Sequence, residues 1–296
     1  MSMPLAVSLA ELRSPLEKGY RNTIYCCSTL EQAGGKLTAK YCGNRWCLVC
    51  NRIRTARAWK RYMPVLEAWP DKHFVTLTIR NVPAAQLRGA IADMVSTFQA
   101  IKLGMKRTAG VKLRTLRKLE CTYNERTDEY HPHFHFVVED REQALLLREA
   151  WLDRYPETTD AKGQDVRPAD NASVRELFKY FTKLLAKKRR RDGSMVSVPV
   201  PPAALDVIFQ AMVGRRVYQP AGFTVVSETP DENAEIAPDE ATSALTRADE
   251  NLTWEWSQGA ADWVDDSTGE CLTGYDPAER FKEFILAMSN PTIRSG

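Results

Sequence analysis

The stretch His131-Pro132-His133-Phe134-His135-Phe136-Val137-Val138 holds three of the four histidines of this 296-residue chain. Alternating histidines followed by an apolar run predict a β-strand. Alternate residues of a strand point to the same face, about 6.5 to 7 Å apart, so the three imidazoles share one face. Each neutral ring offers one acceptor nitrogen, and two such rings on a rigid strand can hold a divalent metal ion. We therefore predict a metal site here, although this spacing alone does not identify the reaction.

The flanking sequence predicts the element order β, α, β, β, α, β, α. Alternation predicts strands, a period of 3.6 predicts helices, and Pro83 suits a helix start. This order begins after a helix near 52–67. Its elements are a strand over 73–80, a helix over 84–105, strands over 116–123 and 131–138, a helix over 141–154, a strand over 164–167 and a helix over 173–190. This order predicts an α+β, ferredoxin-like or RRM-like fold: an antiparallel sheet with helices on one face and the other face free for a ligand.

Composition suggests a cytoplasmic protein, because the N-terminus lacks an apolar signal segment and no run of about 18 apolar residues occurs. We accordingly expect no membrane partner.

The charge is divided along the chain. Residues 1–220 carry 37 Lys and Arg against 22 Asp and Glu, whereas residues 221–296 carry 4 against 16. Dense basic charge favours a nucleic-acid partner, and the alternative is that Lys and Arg merely solvate helix ends. The basic residues that we predict to contact DNA in the second half of this region are Lys179, Lys187, Lys188, Arg189 and Arg190.

Five of the seven cysteines lie in the first 50 residues: Cys26, Cys27, Cys42, Cys47 and Cys50. Their spacing suits a four-thiolate structural zinc site, with Cys26 or Cys27 as the fourth ligand. Disulfides are the alternative, and they are disfavoured without a secretory signal. Arginines surround the cluster, so this segment is also predicted to touch DNA. They are Arg45, Arg52, Arg54 and Arg57.

We predict three parts: a zinc-binding, basic segment over 1–70, the main domain over 71–222 and an acidic tail over 223–296. Residues 227–250 are acidic and poor in aromatic residues, which predicts a disordered linker. The tryptophans at 254, 256 and 263 and the amphipathic stretch 277–288 predict either a small docking element or an ordered tail packed on the body.

The predicted helix over 173–190 places Glu176, Tyr180 and Lys183 on one face. Beside a metal ion, a tyrosine can attack phosphorus while a lysine stabilises the phenolate. The alternatives are that Tyr180 packs in an amphipathic helix and that Glu176 closes a capping box with Ser173.

Four segments, taken in order, resemble the rolling-circle replication initiators, the plasmid and phage Rep branch of the HUH endonucleases. They are 74–81 (FVTLTIRN), 120–124 (ECTYN), 131–138 (HPHFHFVV) and 176–183 (ELFKYFTK). The cysteine cluster with Arg45 also resembles the zinc segment before that family's first motif. The resemblance covers residues 26–222.

The resemblance implies an HUH palm in which His133 and His135 bind the metal ion and Tyr180 attacks a phosphate of single-stranded origin DNA. A 5′-phosphotyrosyl link then forms and the freed 3′-hydroxyl primes a host polymerase. Glu120, on the neighbouring predicted strand, is our choice of third ligand for Mg²⁺ or Mn²⁺. His131 is a weaker candidate, which could bind the metal ion, orient one of its ligands or contact the phosphate.

In one branch of the family a Glu one turn before the single tyrosine is thought to activate water, which is the role we expect for Glu176. The partners implied are origin DNA, duplex and single-stranded, and a host helicase. The alternatives are a relaxase or single-tyrosine transposase and, from another class, a non-catalytic zinc-containing DNA-binding regulator.

Overall fold

The structure is a computed structural model, and it describes residues 2–33, 35–157, 159, 161–178, 184–189, 194–240, 252–257, 259–260, 262–265 and 267–274. These residues form two compact units. One comprises residues 1–54 and 234–296, and the other comprises residues 55–233. The domain boundaries drawn from the sequence, after residues 70 and 222, stay a prediction.

The described helices are α1 (Ser2–Ala10), α2 (Glu17–Ile24), α3 (Leu48–Glu67), α4 (Ala84–Thr108), α5 (Arg141–Arg154), α6 (Asn171–Leu177) and α7 (Pro202–Met212). The described strands are β1 (Thr29–Ala33), β2 (Lys36–Ala39), β3 (His73–Thr78), β4 (Thr115–Asn124), β5 (Glu129–Val138), β6 (Asp165–Pro168), β7 (Leu185–Arg189), β8 (Met195–Pro199), β9 (Tyr218–Ala221), β10 (Leu252–Ser257) and β11 (Asp262–Asp265).

The unit of residues 55–233 is built on a five-stranded sheet in the order β6-β3-β5-β4-β9, and every neighbouring pair is antiparallel. The first four of these strands along the chain thus lie in the order fourth, first, third, second, which is the arrangement of a split β-α-β pattern. The histidine strand β5 is central. The chain is therefore an α+β protein with antiparallel sheets, as its sequence predicts.

Helices α4 and α5 pack on the sheet face opposite the histidines. In α4 the buried side chains recur every three or four residues, and Phe98 among them lies 5.2 Å from Phe136 and 6.2 Å from Phe134, ring centre to ring centre. Trp151 of α5 contacts Phe134 and donates a 3.0 Å hydrogen bond to the Thr78 carbonyl. Because side chains alternate along β5, this packing leaves the histidines on the other face.

The long helix expected over 173–190 is wrong. Helix α6 ends at Leu177, and residues 185–189 form β7, which pairs with β8. Asp170 is the N-cap of α6 and accepts a 2.7 Å hydrogen bond from the Ser173 backbone N–H. The alternative that Ser173 and Glu176 form a capping box is also wrong. The N-cap is Asp170, so the residue that could close a box with it is Ser173, three positions later.

The other unit contains a four-stranded antiparallel sheet in the order β11-β10-β1-β2. Its core holds Leu30, Leu37 and Trp254, all at most 2% exposed. The tryptophan segment is thus an ordered part of a sheet with β1. The disorder expected over 227–250 is wrong for residues 227–240, where Pro238 accepts a 2.8 Å hydrogen bond from the Ala39 N–H. Residues 241–250 and 277–288 lie outside the described residues.

In the described part of the chain, no helix combines the length and the apolar character needed to cross a membrane.

Candidate active site

Strand β5 lies between β3 and β4, and the register brings polar side chains from all three strands to one face. His133 lies opposite Glu120 on β4, while His135 lies opposite Lys118 on β4 and Thr76 on β3. Residues that pair directly across an antiparallel ladder point to the same face and lie close together. The sheet therefore collects a carboxylate, an ammonium and two imidazoles at its centre.

Glu120, His133 and His135 form a compact group of possible metal ligands. One oxygen or nitrogen from each lies within 4.8 Å of the other two. Oε2 of Glu120 is 3.5 Å from Nε2 of His133 and 3.8 Å from Nε2 of His135. Glu120 and His133 are 7% and 8% exposed, so strand packing holds both side chains in place. One ion could bind all three atoms.

Hydrogen bonding on the far side of the His133 ring supports this assignment. Its Nδ1–H donates to the His131 carbonyl oxygen over 3.0 Å, so in the neutral ring Nε2 carries the lone pair. That lone pair faces Oε2 of Glu120, and a carboxylate oxygen can only accept. Two acceptors at this distance need a proton or a metal ion between them, and a metal-binding histidine held by an outer partner has this arrangement. The Nδ1 atom of His135 is likewise 3.1 Å from Thr76 Oγ1.

Lys118 is a further component of the site, which the sequence analysis missed. It is fully buried, and its Nζ is 2.5 Å from Oε1 of Glu120. Burial alone would raise the pKa of Glu120, but His133, Lys118 and His135 outweigh burial and hold that pKa at about 2. The available signal was that Lys118 and Glu120 occupy alternate positions of the predicted strand, so that the two charged side chains share a face.

His131 lies outside this ligand group. Its Nδ1 is 3.0 Å from Asn81 Oδ1, and its ring stacks on that of His133 with centres 5.2 Å apart. Burial, aided by His133, lowers the pKa of His131 to about 4. A neutral ring in this position can orient His133.

Glu176, on the last turn of α6, lies near the site. Burial is the main influence on the pKa of His135 and lowers it to about 4, while the charges of Glu120 and Glu176 act to raise it.

The end of α6 is anchored from β9, where the Tyr218 hydroxyl donates a 3.3 Å hydrogen bond to the Leu177 carbonyl. Tyr218 pairs with Lys118 across the sheet, and its ring centre is 6.0 Å from Lys118 Nζ. The end of α6 is therefore tied to the strand that carries Glu120.

Several residues predicted from the sequence lie outside the described part of the chain: Lys179, Tyr180, Lys183 and Arg190. The backbone of Lys187, Lys188 and Arg189 is described as part of β7.

The other unit contains a second group of possible metal ligands. The Sγ atoms of Cys26, Cys42, Cys47 and Cys50 lie within 4.8 Å of one another, with Cys50 Sγ 3.5 Å from Cys26 and 3.6 Å from Cys42. Four thiolates around a tetrahedral zinc ion lie about 3.8 Å apart, given Zn–S bonds of about 2.3 Å. No cysteine of the described residues forms a disulfide.

Cys27 is not part of this group. Its φ of 57° turns the chain, and its backbone N–H donates to the Lys40 carbonyl over 2.9 Å. The side chain is buried in the apolar cluster that contains Leu30 and Trp254. The described group of possible ligands thus contains Cys26 and not Cys27.

Two of the arginines expected to touch DNA are engaged elsewhere. Arg57 is 3% exposed and donates to the Asp231 carbonyl over 3.3 Å. Arg54 donates to the carbonyls of Gly43 and Ala234. Burial leaves little of the Arg57 side chain open to a phosphate backbone. Arg45 is half-buried and Arg52 is exposed.

Comparison with known proteins identifies the family. A family model described as "Replication protein" matches residues 36–264. "Protein rep" of Staphylococcus aureus is 28% identical over 162 residues, covering 49% of this chain and 70% of that protein. "Protein rep" of Streptococcus pneumoniae is 27% identical over 237 residues, covering 71% and 69%. No solved structure matches the chain. The chain therefore belongs to the replication protein family, the Rep initiators of rolling-circle replication.

Proposed function

We propose that this replication initiator nicks one strand of its origin through Tyr180, with a divalent ion held by Glu120, His133 and His135. The observation that carries the proposal is the convergence of three possible ligands: Oε2 of Glu120 lies 3.5 Å from Nε2 of His133 and 3.8 Å from Nε2 of His135. A donor set of two imidazoles and one carboxylate suits Mn²⁺ or Mg²⁺. When bound, such an ion polarises a phosphate and disperses its developing charge.

The remaining chemistry is assigned to side chains of the unit of residues 55–233, which we propose is an HUH palm. The Tyr180 oxygen forms a bond to the scissile phosphorus, and the bond from phosphorus to the 3′-oxygen of the preceding nucleotide breaks. The protein keeps the 5′-phosphate, and the released 3′-hydroxyl serves a host polymerase as primer. Lys183 stabilises the phenolate of Tyr180. Glu176 later activates water to release the DNA, consistent with its charge effect on His135.

We further propose that Cys26, Cys42, Cys47 and Cys50 hold a structural Zn²⁺ and that Arg45 beside them contacts the duplex origin. The basic residues of the region before Gly222 provide the electrostatic part of DNA binding. The candidates are Lys179, Lys187, Lys188, Arg189 and Arg190. A host helicase would unwind the template.

The test is formation of a covalent adduct. The full-length protein is incubated with Mn²⁺ and single-stranded DNA from each strand of its own replicon, and products are resolved under denaturing conditions. We expect an adduct with one strand, which Tyr180→Phe abolishes and the exposed-site control Tyr25→Phe retains. An adduct that survives Tyr180→Phe would remove Tyr180 as nucleophile. Specific duplex binding without any adduct would instead favour a non-catalytic regulator.

A further inference from the structure

Lys118 is unusual because a lysine is almost never fully buried unless it is paired. Its Nζ lies 2.5 Å from Oε1 of Glu120 and 6.0 Å from the centre of the Tyr218 ring. A buried ion pair is seldom a net source of stability, since desolvation offsets the attraction between the charges. The pair therefore needs an explanation other than stability.

The geometry divides the two oxygens of Glu120 between different partners. Oε1 is taken by Lys118, while Oε2 faces Nε2 of His133 and of His135. With Oε1 engaged, the carboxylate can offer a metal ion one oxygen. Lys118 thus limits Glu120 to one oxygen ligand at the site.

The charges of these side chains also indicate that Lys118 affects metal binding. In the form that binds a metal ion, two neutral imidazoles and one carboxylate carry a net charge of −1, and the Lys118 ammonium cancels it. Without an ion this group is then electrically neutral, so no buried charge is left uncompensated. With an ion, Lys118 repels the added positive charge, which weakens binding.

We propose that Lys118 acts on the metal site through its charge: it occupies Oε1 of Glu120 and balances the carboxylate, so that an ion at Oε2 binds reversibly. The inference rests on the proposed function, because it requires that Glu120, His133 and His135 hold a divalent ion. It predicts that removal of the Lys118 charge tightens metal binding, whereas loss of a purely structural contact would loosen it.

The experiment compares Lys118→Met, which keeps an unbranched side chain of similar length, with wild-type protein. The matched control is Lys102→Met, because Lys102 is a partly buried lysine on α4 whose Nζ lies over the Phe98 ring. The zinc-loaded, full-length chain is titrated with MnCl₂, and free Mn²⁺ is measured by electron paramagnetic resonance. Thermal unfolding is followed with and without Mn²⁺.

We expect the Kd of Lys118→Met for Mn²⁺ to fall by about tenfold or more, because a repelling charge is removed. Without Mn²⁺ its unfolding temperature should fall, and saturating Mn²⁺ should restore it. Wild type and Lys102→Met should share one Kd and show a smaller Mn²⁺ effect on unfolding.

Two failures are distinguishable. If wild type binds no Mn²⁺, the proposed metal site is wrong. If wild type binds Mn²⁺ and Lys118→Met binds it equally or more weakly, only the role of Lys118 is wrong. A Lys118→Met protein that stays unfolded even with Mn²⁺ also contradicts this role, since the ion should replace the missing charge.

Discussion

Oε2 of Glu120 lies 3.5 Å from Nε2 of His133, and the two residues face each other across the β4–β5 ladder. The pairing runs without interruption from Thr115 opposite Val138 to Asn124 opposite Glu129. A slip of one residue would move every side chain of one strand to the other face. The hairpin register therefore determines whether the ligand group exists.

Removal of a single ligand should abolish metal binding. Glu120→Gln and His133→Ala are each expected to weaken Mn²⁺ binding by at least about 100-fold and to eliminate the DNA adduct. The control is His73→Ala, since His73 is the fourth histidine and lies on the opposite face of β3. It should lose stability but keep its Mn²⁺ affinity once folded. Equal loss of affinity in all three variants would indicate a general folding effect.

Glu176→Ala should separate the two steps of the proposed reaction. The adduct should form at nearly the wild-type rate, because the variant retains Tyr180 and the ligand group. Release of the DNA by hydrolysis should slow by about 100-fold or more, as expected for loss of a general base. The adduct is isolated and its decay is followed over time, with Glu142→Ala, at an exposed position of α5, as control. Unchanged decay would leave Glu176 without a catalytic role.

The sequence predicts the elements near the histidines well because their signals are local. The histidine alternation, the preceding strand and the turn between them locate β4 and β5 within a few residues. The prediction from sequence fails over 173–190. Apolar residues there have helical spacing, but α6 ends at Leu177 and residues 185–189 pair with β8. The pairing of β1 with β10, more than 200 residues away, also cannot be predicted from the local sequence of either strand.

The burial of Lys118 could not be predicted for a related reason. A lysine on a strand is normally exposed, and only the register with β5 and β9 shows that its neighbours are His135 and Tyr218. The identity of Glu120 as a possible ligand was predictable, since it requires only that the two predicted strands form a hairpin.

Substitution of the two glycines that flank β9, both with positive φ, should destabilise the protein to different extents. Gly222 follows β9 with φ of +76°, and an added Cβ would lie 2.1 Å from the Leu113 carbonyl oxygen. Gly214 has φ of +73° with nothing within 4 Å of such a Cβ. Gly214→Ala should cost about 1 to 2 kcal/mol of unfolding free energy from conformation alone. Gly222→Ala should cost about 3 to 4 kcal/mol, because a backbone clash adds to this. Equal costs by denaturant unfolding would contradict this distinction.

Adjacent cysteines provide the sharpest test of the zinc proposal. The Cys26 sulfur lies 3.5 Å from that of Cys50, within the four-cysteine group. Cys27 instead has a positive φ, and its side chain is buried in the core beside Leu30 and Trp254. Cys26→Ala should therefore lose bound zinc and the folding energy that the ion supplies. Cys27→Ala removes one sulfur from an apolar core and should cost only about 1 kcal/mol while the zinc stays bound.

Zinc per chain, measured by atomic absorption after dialysis against a weak chelator, distinguishes the two variants. We expect about one equivalent in wild type and Cys27→Ala, and far less in Cys26→Ala. The reverse order would show that Cys27 is the ligand and that its positive φ is not kept in the metal-bound protein. Equal zinc in both variants would mean that Cys42, Cys47 and Cys50 suffice, with the fourth position left to another ligand.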